Sequence, residues 1–401
     1  MGLDYKNFAI VCEQGIEDMV SELDASNIFV GEKLRLQADC HVGKGCAVGT
    51  CLTYKDKIVP SLVGCDICCR VSAYPIDTDG EQLDLVTLDK VIHEKVPAGV
   101  SIRPKESLMS KLFPYHLLRC WEDIKKKEDR FRKSCGTLGG GNHYIAVERG
   151  SESGTYYLMI HTGTRNLGKS VFDHYQAKAI AHRDEIAQSI YDEYDQMVVV
   201  AREEGCIQDI QGILEERKKL IAALPKDDLC YIEGQDMEDY LWDMELLRKW
   251  SYYNHRTIAM EILDALGFTL NQPMSSVHNY VDVNHGIIRK GAISAQKGEY
   301  GIIPMNMRDG SLLVVGKGNE DYLWSAPHGA GRIMSRAQAK KELKLEDYQE
   351  EMTGIYTTSV SDSTLDEAPD AYKKMEDILP AITPTVDVIE RTIPVYNFKA
   401  Q

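Results

Sequence analysis

Between Val171 and Gly267 the apolar residues of this chain recur at intervals of three and four, and on either side of that stretch they do not. Nothing else in the sequence constrains the fold as much. A 3.6-residue period belongs to helices, whereas short apolar runs closed by glycine belong to strands. Ile180, Ala181, Ile186, Ile190, Tyr191, Tyr194, Met197 and Val198 predict an amphipathic helix ending near Gly205. Ile207, Ile210, Ile213, Leu214, Leu220 and Ile221 predict a second one, closed by Pro225. A third is predicted from about Met237 to Leu266, stopped by Gly267. Ahead of this region, "NIFVG", "LRLQADCHVGKGCAVGTCLTY", "KIVPSLVGC" and "CRVSAYPI" alternate strand-like runs with glycine turns. After it, "HGIIRKGAISAQKGEYGIIPMNM" and "SLLVVGKG" resume that pattern, and "SRAQAKKELKLEDYQEEM" predicts one further helix. With no repeat and no low-complexity linker, the expectation is a single large α+β domain over residues 1–401, a mixed sheet-and-helix body with a helical excursion at 171–267.

The 401-residue chain is 43% hydrophobic and carries 46 basic against 62 acidic side chains, a formal charge of −16. That balance excludes a general nucleic-acid coat but leaves room for local basic grooves. "KKKEDRFRK" (Lys125 to Lys133) is one candidate, although a solvated helix face is the better reading of it; Arg165, Arg289, Lys290, Arg332 and Arg336 are others. No apolar run reaches the length of a membrane span. The start, "MGLDYKNFAIVCEQG", lacks a basic region followed by an apolar stretch, so the expected location is the cytoplasm, without membrane association. Eleven cysteines are spread along the chain, as reduced thiols would be. Cys12, Cys46, Cys51 and Cys230 read as buried small residues.

Polar chemistry concentrates in turns after strand-like runs. His143 lies in "GTLGGGNHYIAV", His161 in "LMIHTGTRNLG", His278 in "SSVHNYVDVNHG" and His328 in "LWSAPHGAGRIMSR". Glycines beside a histidine let backbone approach a ligand and point N–H groups at anions. In "GCDICCR", Asp66 and Cys69 are three residues apart. A carboxylate and a thiolate on one turn, joined by histidines from distant segments, suit a transition metal. No second C-x-x-C pair stands at zinc-ribbon spacing, and the βαβ setting of a redox Cys65–Cys68 pair is missing. Metals, anion cradles and arginines together suit metal-assisted phosphoryl transfer. His41 in "ADCHVGKG" fits either a turn residue or a partner supporting the metal ligands, and His285 fits a supporting or backbone-bonded role. His93, His116, His174, His182 and His255 read as surface or packing residues.

A competing pattern sits in the same place. Gly163 to Ser170 matches the phosphate loop G-x-x-x-x-G-K-[ST] letter for letter. That reading needs Lys169 on phosphates, Ser170 on magnesium and an apolar strand ending in an aspartate. "LVGCD" is the nearest such strand, and its aspartate is better used as a metal ligand, so a P-loop hydrolase is not expected.

Taken in order, "QADCHVGKGCAVG", "VGCDICC", "GTLGGGNHYI", "HTGTRNLG", "VHNYV", "RKGAISA", "IIPMNM", "SAPHGAGRIMSR" and "DEAPDAYK" resemble the motifs of RtcB-type RNA ligases, from about residue 37 to 374. The resemblance implies a GTP- and Mn2+-dependent ligase joining an RNA 3′-phosphate or 2′,3′-cyclic phosphate to a 5′-hydroxyl, in RNA repair or tRNA splicing. It implies that Cys69 bridges two Mn2+ ions, one also held by Asp66 and His143, the other by His161 and His278. His328 would be the residue that becomes guanylylated, with GTP as co-substrate. A neutral imidazole is a competent nucleophile, and a phosphoramidate is labile. Arg165, Arg289, Lys290 and Arg332 are then candidates for RNA or nucleotide phosphates. Asn142, Asn279, Pro304, Asn306, Met307, Gly329, Gly331, Tyr372 and Lys399 are candidates for the nucleotide, with Tyr372 available to stack on a base. Partners would be RNA with broken 3′-phosphate and 5′-hydroxyl ends and an archease-like activator.

Three positions depart from the family pattern. Ala146 stands where a guanine-reading glutamate is usual, Met305-Asn306 replace a glycine and a small polar residue, and Arg70 replaces the glycine after the metal-binding cysteine. These changes fit a divergent member that accepts another nucleotide or repairs a particular RNA. The alternatives are a dinuclear metal RNA phosphoesterase in which His328 is not guanylylated, and a nucleotide- or RNA-binding paralogue without ligation.

Overall fold

The computed structural model describes residues 2–10 and 14–400; Cys12 lies outside them. The chain builds two mainly antiparallel sheets, with helices packed against them. The larger sheet has eight strands. Its main path runs Tyr300–Asn306, Gly310–Gly316, Val386–Phe398, Tyr144–Gly150, Tyr156–Thr162, Cys69–Ile76 and Met274–His278, with Tyr356–Thr357 added alongside Val386–Phe398. It curls until its two ends meet, where Ile302 N–H donates to Ser276 Oγ at 2.8 Å. The inward side of this near-barrel is filled by Val71, Ala73, Ala146, Met159, Ile302 and Leu313, all buried. The smaller sheet has five strands, ordered Asp4–Asn7, Lys33–His41, Val48–Thr53, Ile287–Lys290 and Tyr280–Asp282. A short ladder, Ala292–Ser294 with Ser325–Pro327, delivers the chain to His328.

The stretch of helical period forms α1 (Arg165–Glu203), α2 (Ile210–Ala222) and α3 (Gly234–Leu266). α1 begins six residues before Val171, because Leu167, Val171 and Tyr175 continue one buried face back toward its N-terminus. α3 ends as expected, Gly267 taking the left-handed conformation at φ 79°. The two ends of α1 differ. Between Ile180 and Met197 no residue is fully buried, and this part of the amphipathic helix forms a helical arm with α2. α3 lies against the large sheet, where Ile258, Ala259, Ile262 and Leu263 join its outer core.

One local expectation fails. "SRAQAKKELKLEDYQEEM" is two helices, Arg336–Glu342 and Leu345–Glu351, because Leu343 leaves the first helix to pack beside Met307 and Tyr348. The Lys125 run is the solvated helix face and not a groove. Lys125, Arg132 and Lys133 pair with Glu122, Glu128 and Asp129 one helical turn away, while Phe131 anchors the segment in the core. Among the described residues no helix is long and apolar enough to cross a membrane.

Candidate active site

The donors predicted from scattered turns arrive at one place because three neighbouring strands carry them. Cys69 opens its strand and lies opposite His278 in the register; His161 lies opposite Val71 on one side and Tyr144 on the other. His143 precedes Tyr144, and Asp66 sits in the turn leading to Cys69. Two triads result, Asp66–Cys69–His143 and Cys69–His161–His278, with ligand atoms within 4.8 Å of one another. Cys69 Sγ is 3.6 Å from His143 Nε2 and 3.3 Å from His161 Nε2. His143 Nε2 is 3.1 Å from Asp66 Oδ2, and the Nε2 atoms of His161 and His278 are 3.2 Å apart.

The electrostatics suit cations. Burial, then the neighbouring imidazoles, push His161 and His278 well below the usual histidine range, so both are neutral with lone pairs free for a metal. Burial opposes charge on Asp66, but the bond from His143 holds its carboxyl below the usual range. Burial and the Asp66 carboxylate push the Cys69 thiol well up, which a bound divalent ion would reverse. Nitrogen, sulfur and one carboxylate, in two sets sharing a thiol, fit a pair of divalent transition ions.

The backbone here is set under strain. Cys68 (φ 56°), Arg165 (φ 55°) and Asn279 (φ 86°) all take left-handed conformations around the donors. The Cys68 turn points its own thiol the other way, into the core against Met244 O at 3.6 Å, where burial pushes it up to about 12. Asn279 Nδ2 donates to Asp66 O at 3.2 Å, and its Oδ1 accepts from Gly291 N–H at 2.8 Å. Gly163 faces Asp66 directly; a Cβ there would meet Asp66 Oδ1 at 2.0 Å.

Behind the donors stand residues that the sequence does not flag. Asn254, on α3, accepts from Gly136 and Thr137 N–H with Oδ1 and donates to Gly163 O with Nδ2. Next to it, fully buried His255 meets Thr162 O at 2.9 Å. The helical excursion therefore braces the loops that carry His143 and His161. His255 is a packing residue with a defined task.

A cleft of about 580 Å³ opens over the triads, and His328 lines it. Its Nδ1 lies 2.7 Å from Asp39 Oδ2, which also accepts from His328 N–H at 3.2 Å. Asp39 is fully buried, so this carboxylate fixes the ring and leaves Nε2 as the free nitrogen. No signal in "QADCHVGKG" separated Asp39 from an ordinary strand polar residue. His41 also lines the cleft; its Nδ1 is 3.0 Å from Asp39 O, and burial pushes the imidazole down to about 4. His285 bonds Asp282 at the surface.

Of the residues expected on nucleotide or phosphate, the cleft brings together Asn142, Asn279, Lys290, Pro304, Asn306, Met307, Gly329, Gly331, Arg332, Tyr372 and Lys399. Two arginines are elsewhere. Arg165 turns away to Thr137 Oγ1 and Gly99 O, against Gly139, and Arg289 is fully buried among Ser325, Tyr280 and Asp282. Both are bonded to protein groups and neither lines the cleft, so the geometry does not support the phosphate role expected of them. Lys290 Nζ bonds Lys44 O and Ser61 O. The apparent P-loop is spent likewise: Lys169 pairs with Asp173 at 2.6 Å, and Ser170 accepts from Lys127.

Beyond His328 the cleft is cationic around one carboxylate. Glu367 accepts from Lys399, Arg332, Arg336 and Tyr372. Burial works against its charge, but Lys399 and the two arginines hold it below the usual range. Arg70, the third departure, crosses to the outer side of its strand and bonds Ser275, Ser251 and Arg248 O, tying the strand to α3.

Two donor triads sharing Cys69, with the His328 imidazole beside them over a cleft lined by cations, are the arrangement that a metal-assisted phosphoryl- or nucleotidyl-transfer site would need. The family can be stated more narrowly. A sequence profile described as tRNA-splicing ligase RtcB matches residues 24–117 and 119–400, and the chain belongs to that family. It is 29% identical over 398 residues to the RNA-splicing ligase RtcB of Escherichia coli K12, covering 90% of this chain and 88% of that protein. It is 25% identical over 440 residues to the tRNA-splicing ligase RtcB of Archaeoglobus fulgidus, covering 88% and 83%. To RNA-splicing ligase RtcB2 of E. coli ATCC 25922 it is 25% identical over 365 residues, covering 85% and 80%.

Proposed function

We propose that this chain is an RNA ligase, joining RNA 3′-phosphate or 2′,3′-cyclic phosphate ends to 5′-hydroxyl ends in RNA repair or tRNA splicing. The co-substrate is GTP, and the intermediate is GMP carried on His328. One observation carries the reading: the free Nε2 of His328, whose other nitrogen is held by Asp39, opens on the same cleft as two triads sharing Cys69. Two Mn2+ ions would be held by Asp66, Cys69 and His143 and by Cys69, His161 and His278, supplying charge neutralisation around the phosphates.

The chain's own residues do the rest. Nε2 attacks the α-phosphorus, a P–N bond forms and pyrophosphate leaves. Asp39 stabilises the imidazolium character that develops on His328, as a buried carboxylate does for a nucleophilic or basic imidazole. An oxygen of the RNA 3′-phosphate then displaces the imidazole, and the 5′-hydroxyl attacks the activated phosphate with GMP as leaving group. A cyclic end is first opened by water to the 3′-phosphate. Arg332, Arg336 and Lys399 supply the cations facing the nucleotide, and Asn142, at the rim, a polar contact for the phosphate chain.

The test is covalent labelling. Protein incubated with Mn2+ and α-labelled GTP is expected to carry label that His328→Ala abolishes, and to seal RNA with 3′-phosphate and 5′-hydroxyl ends. Metal binding without label would transfer the assignment to a phosphoesterase. RNA sealing that survives Cys69→Ala would remove the metal site from the mechanism.

A further inference from the structure

We propose that Asn397 is the residue that reads the nucleobase in this cleft, and that its amide lets the site take adenine as readily as guanine. The inference rests on the nucleotide reading above and concerns only the end of the cleft that reaches into the large sheet.

Asn397 is in the last strand, directly opposite Ala146 in the antiparallel register, so the two side chains share one face of the sheet. It is 3% exposed and lines the cleft. Its Oδ1 is buried without a hydrogen-bond partner. Buried amide oxygens are nearly always satisfied, and one that is not, on a cavity wall, marks a place where a ligand donor belongs. Ala146 contributes only a methyl group directly opposite it.

Most of the other polar groups at this end are committed; the Tyr144 hydroxyl, also buried without a partner, is the exception. The Glu148 carboxyl, two residues along from Ala146, accepts from Ser311 Oγ and Thr392 Oγ1. Lys399 Nζ bonds Glu367. Asn306 is tied into its own turn, donating to Asp309 and accepting from the Arg308 and Asp309 N–H groups. The rings of Tyr144 and Tyr372 line the same cavity and offer flat apolar faces to a base. Asn397 offers the donor and acceptor on adjacent atoms that a base edge needs, whereas the Tyr144 hydroxyl is a single atom.

An amide presents one donor and one acceptor side by side, whichever way it is turned. Adenine offers a matching pair in its amino group and N1; guanine offers one in O6 and N1–H. Neither purine is refused. A carboxylate in the same place would present two acceptors, suiting the paired N–H donors of guanine and repelling the N1 lone pair of adenine.

The measurement is equilibrium binding, with Mn2+, of the α,β-methylene analogues of GTP and ATP, which cannot transfer their nucleotide. Wild type is expected to bind the two within about tenfold of each other. Asn397→Asp is expected to shift the ratio toward the guanine analogue by about tenfold or more, and Asn397→Ala to weaken both and leave the ratio near one. A wild-type preference above about tenfold for either purine overturns the inference, as does a ratio unmoved by Asn397→Asp or binding of neither analogue. If Asn397→Asp does not fold, the wild-type ratio and Asn397→Ala still decide. Because no covalent step is read, failure of His328 to take label would refute the ligase chemistry while leaving these ratios measurable.

Discussion

Asp39→Asn isolates what the buried carboxylate does for His328. Asp39 Oδ2 alone accepts both bonds from His328, one from the ring and one from the backbone, while Oδ1 has no partner. An asparagine can place its oxygen where Oδ2 stands, keep both bonds and put its NH2 where nothing is bonded. Geometry survives and charge is lost. A hydrogen bond to a charged group contributes about 1.5–3 kcal/mol against about 0.5–1.5 for a neutral one, a difference of about 1–2 kcal/mol. That difference grows as the imidazole gains positive character, so it falls on the transition state. Expected is a fall of roughly 5- to 30-fold in the single-turnover rate of covalent labelling from α-labelled GTP, with nucleotide affinity little changed. Asp39→Ala, which also strands the His328 N–H, should lose about a thousandfold or more. A labelling rate for Asp39→Asn within twofold of wild type would refute the reasoning; so would an equal loss in both variants.

Gly163→Ala should abolish metal binding while leaving a folded protein, since its Cβ would meet Asp66 Oδ1 at 2.0 Å; Mn2+ titration followed by calorimetry checks this, and undiminished binding would be contrary. Adding Mn2+ should raise the melting temperature of wild type by several degrees, chelator should reverse it, and Cys69→Ala should show neither effect, because both triads lose their shared donor. Burial raises the Glu148 carboxyl to about 7 from an ordinary 4.5, so the folded state holds its proton more tightly than the unfolded state. Stability should therefore fall as pH rises from about 4.5 to 7, by at most about 3 kcal/mol, and stay low above. Glu148→Gln should flatten that slope and melt higher than wild type at pH 8; an unchanged pH profile would mean that Glu148 is not protonated in the folded protein.

How far the sequence could be read depended on where each residue's task lay. Asp66, Cys69, His143, His161 and His278 were visible because metal-binding residue types in glycine-rich turns have few other uses. The second helix and the stop at Gly267 were visible because period and cap are local. Asp39 and Asn254 were not. Each does its work on a partner more than fifty residues away in the chain, and spacing carries no trace of that. Arg165 and Arg289 misled for a related reason. An arginine near a ligand histidine looks like a phosphate contact, and only the packed structure reveals that carbonyls and hydroxyls have taken its donors. The arm made by α1 and α2 was legible as helix but not as an arm, because an apolar period announces a helix without saying what covers it.

The placement of Cys69 opposite His278, with His161 on the strand beyond, has a consequence for evolution. Adjacent strands repeat every 4.7–4.9 Å, a spacing set by backbone hydrogen bonds that no side-chain substitution alters. The spacing of Cys69, His161 and His278 is thus a property of the sheet, as the rung spacing is of a ladder. Loops and helical arm can drift while these three donors keep their distances from one another.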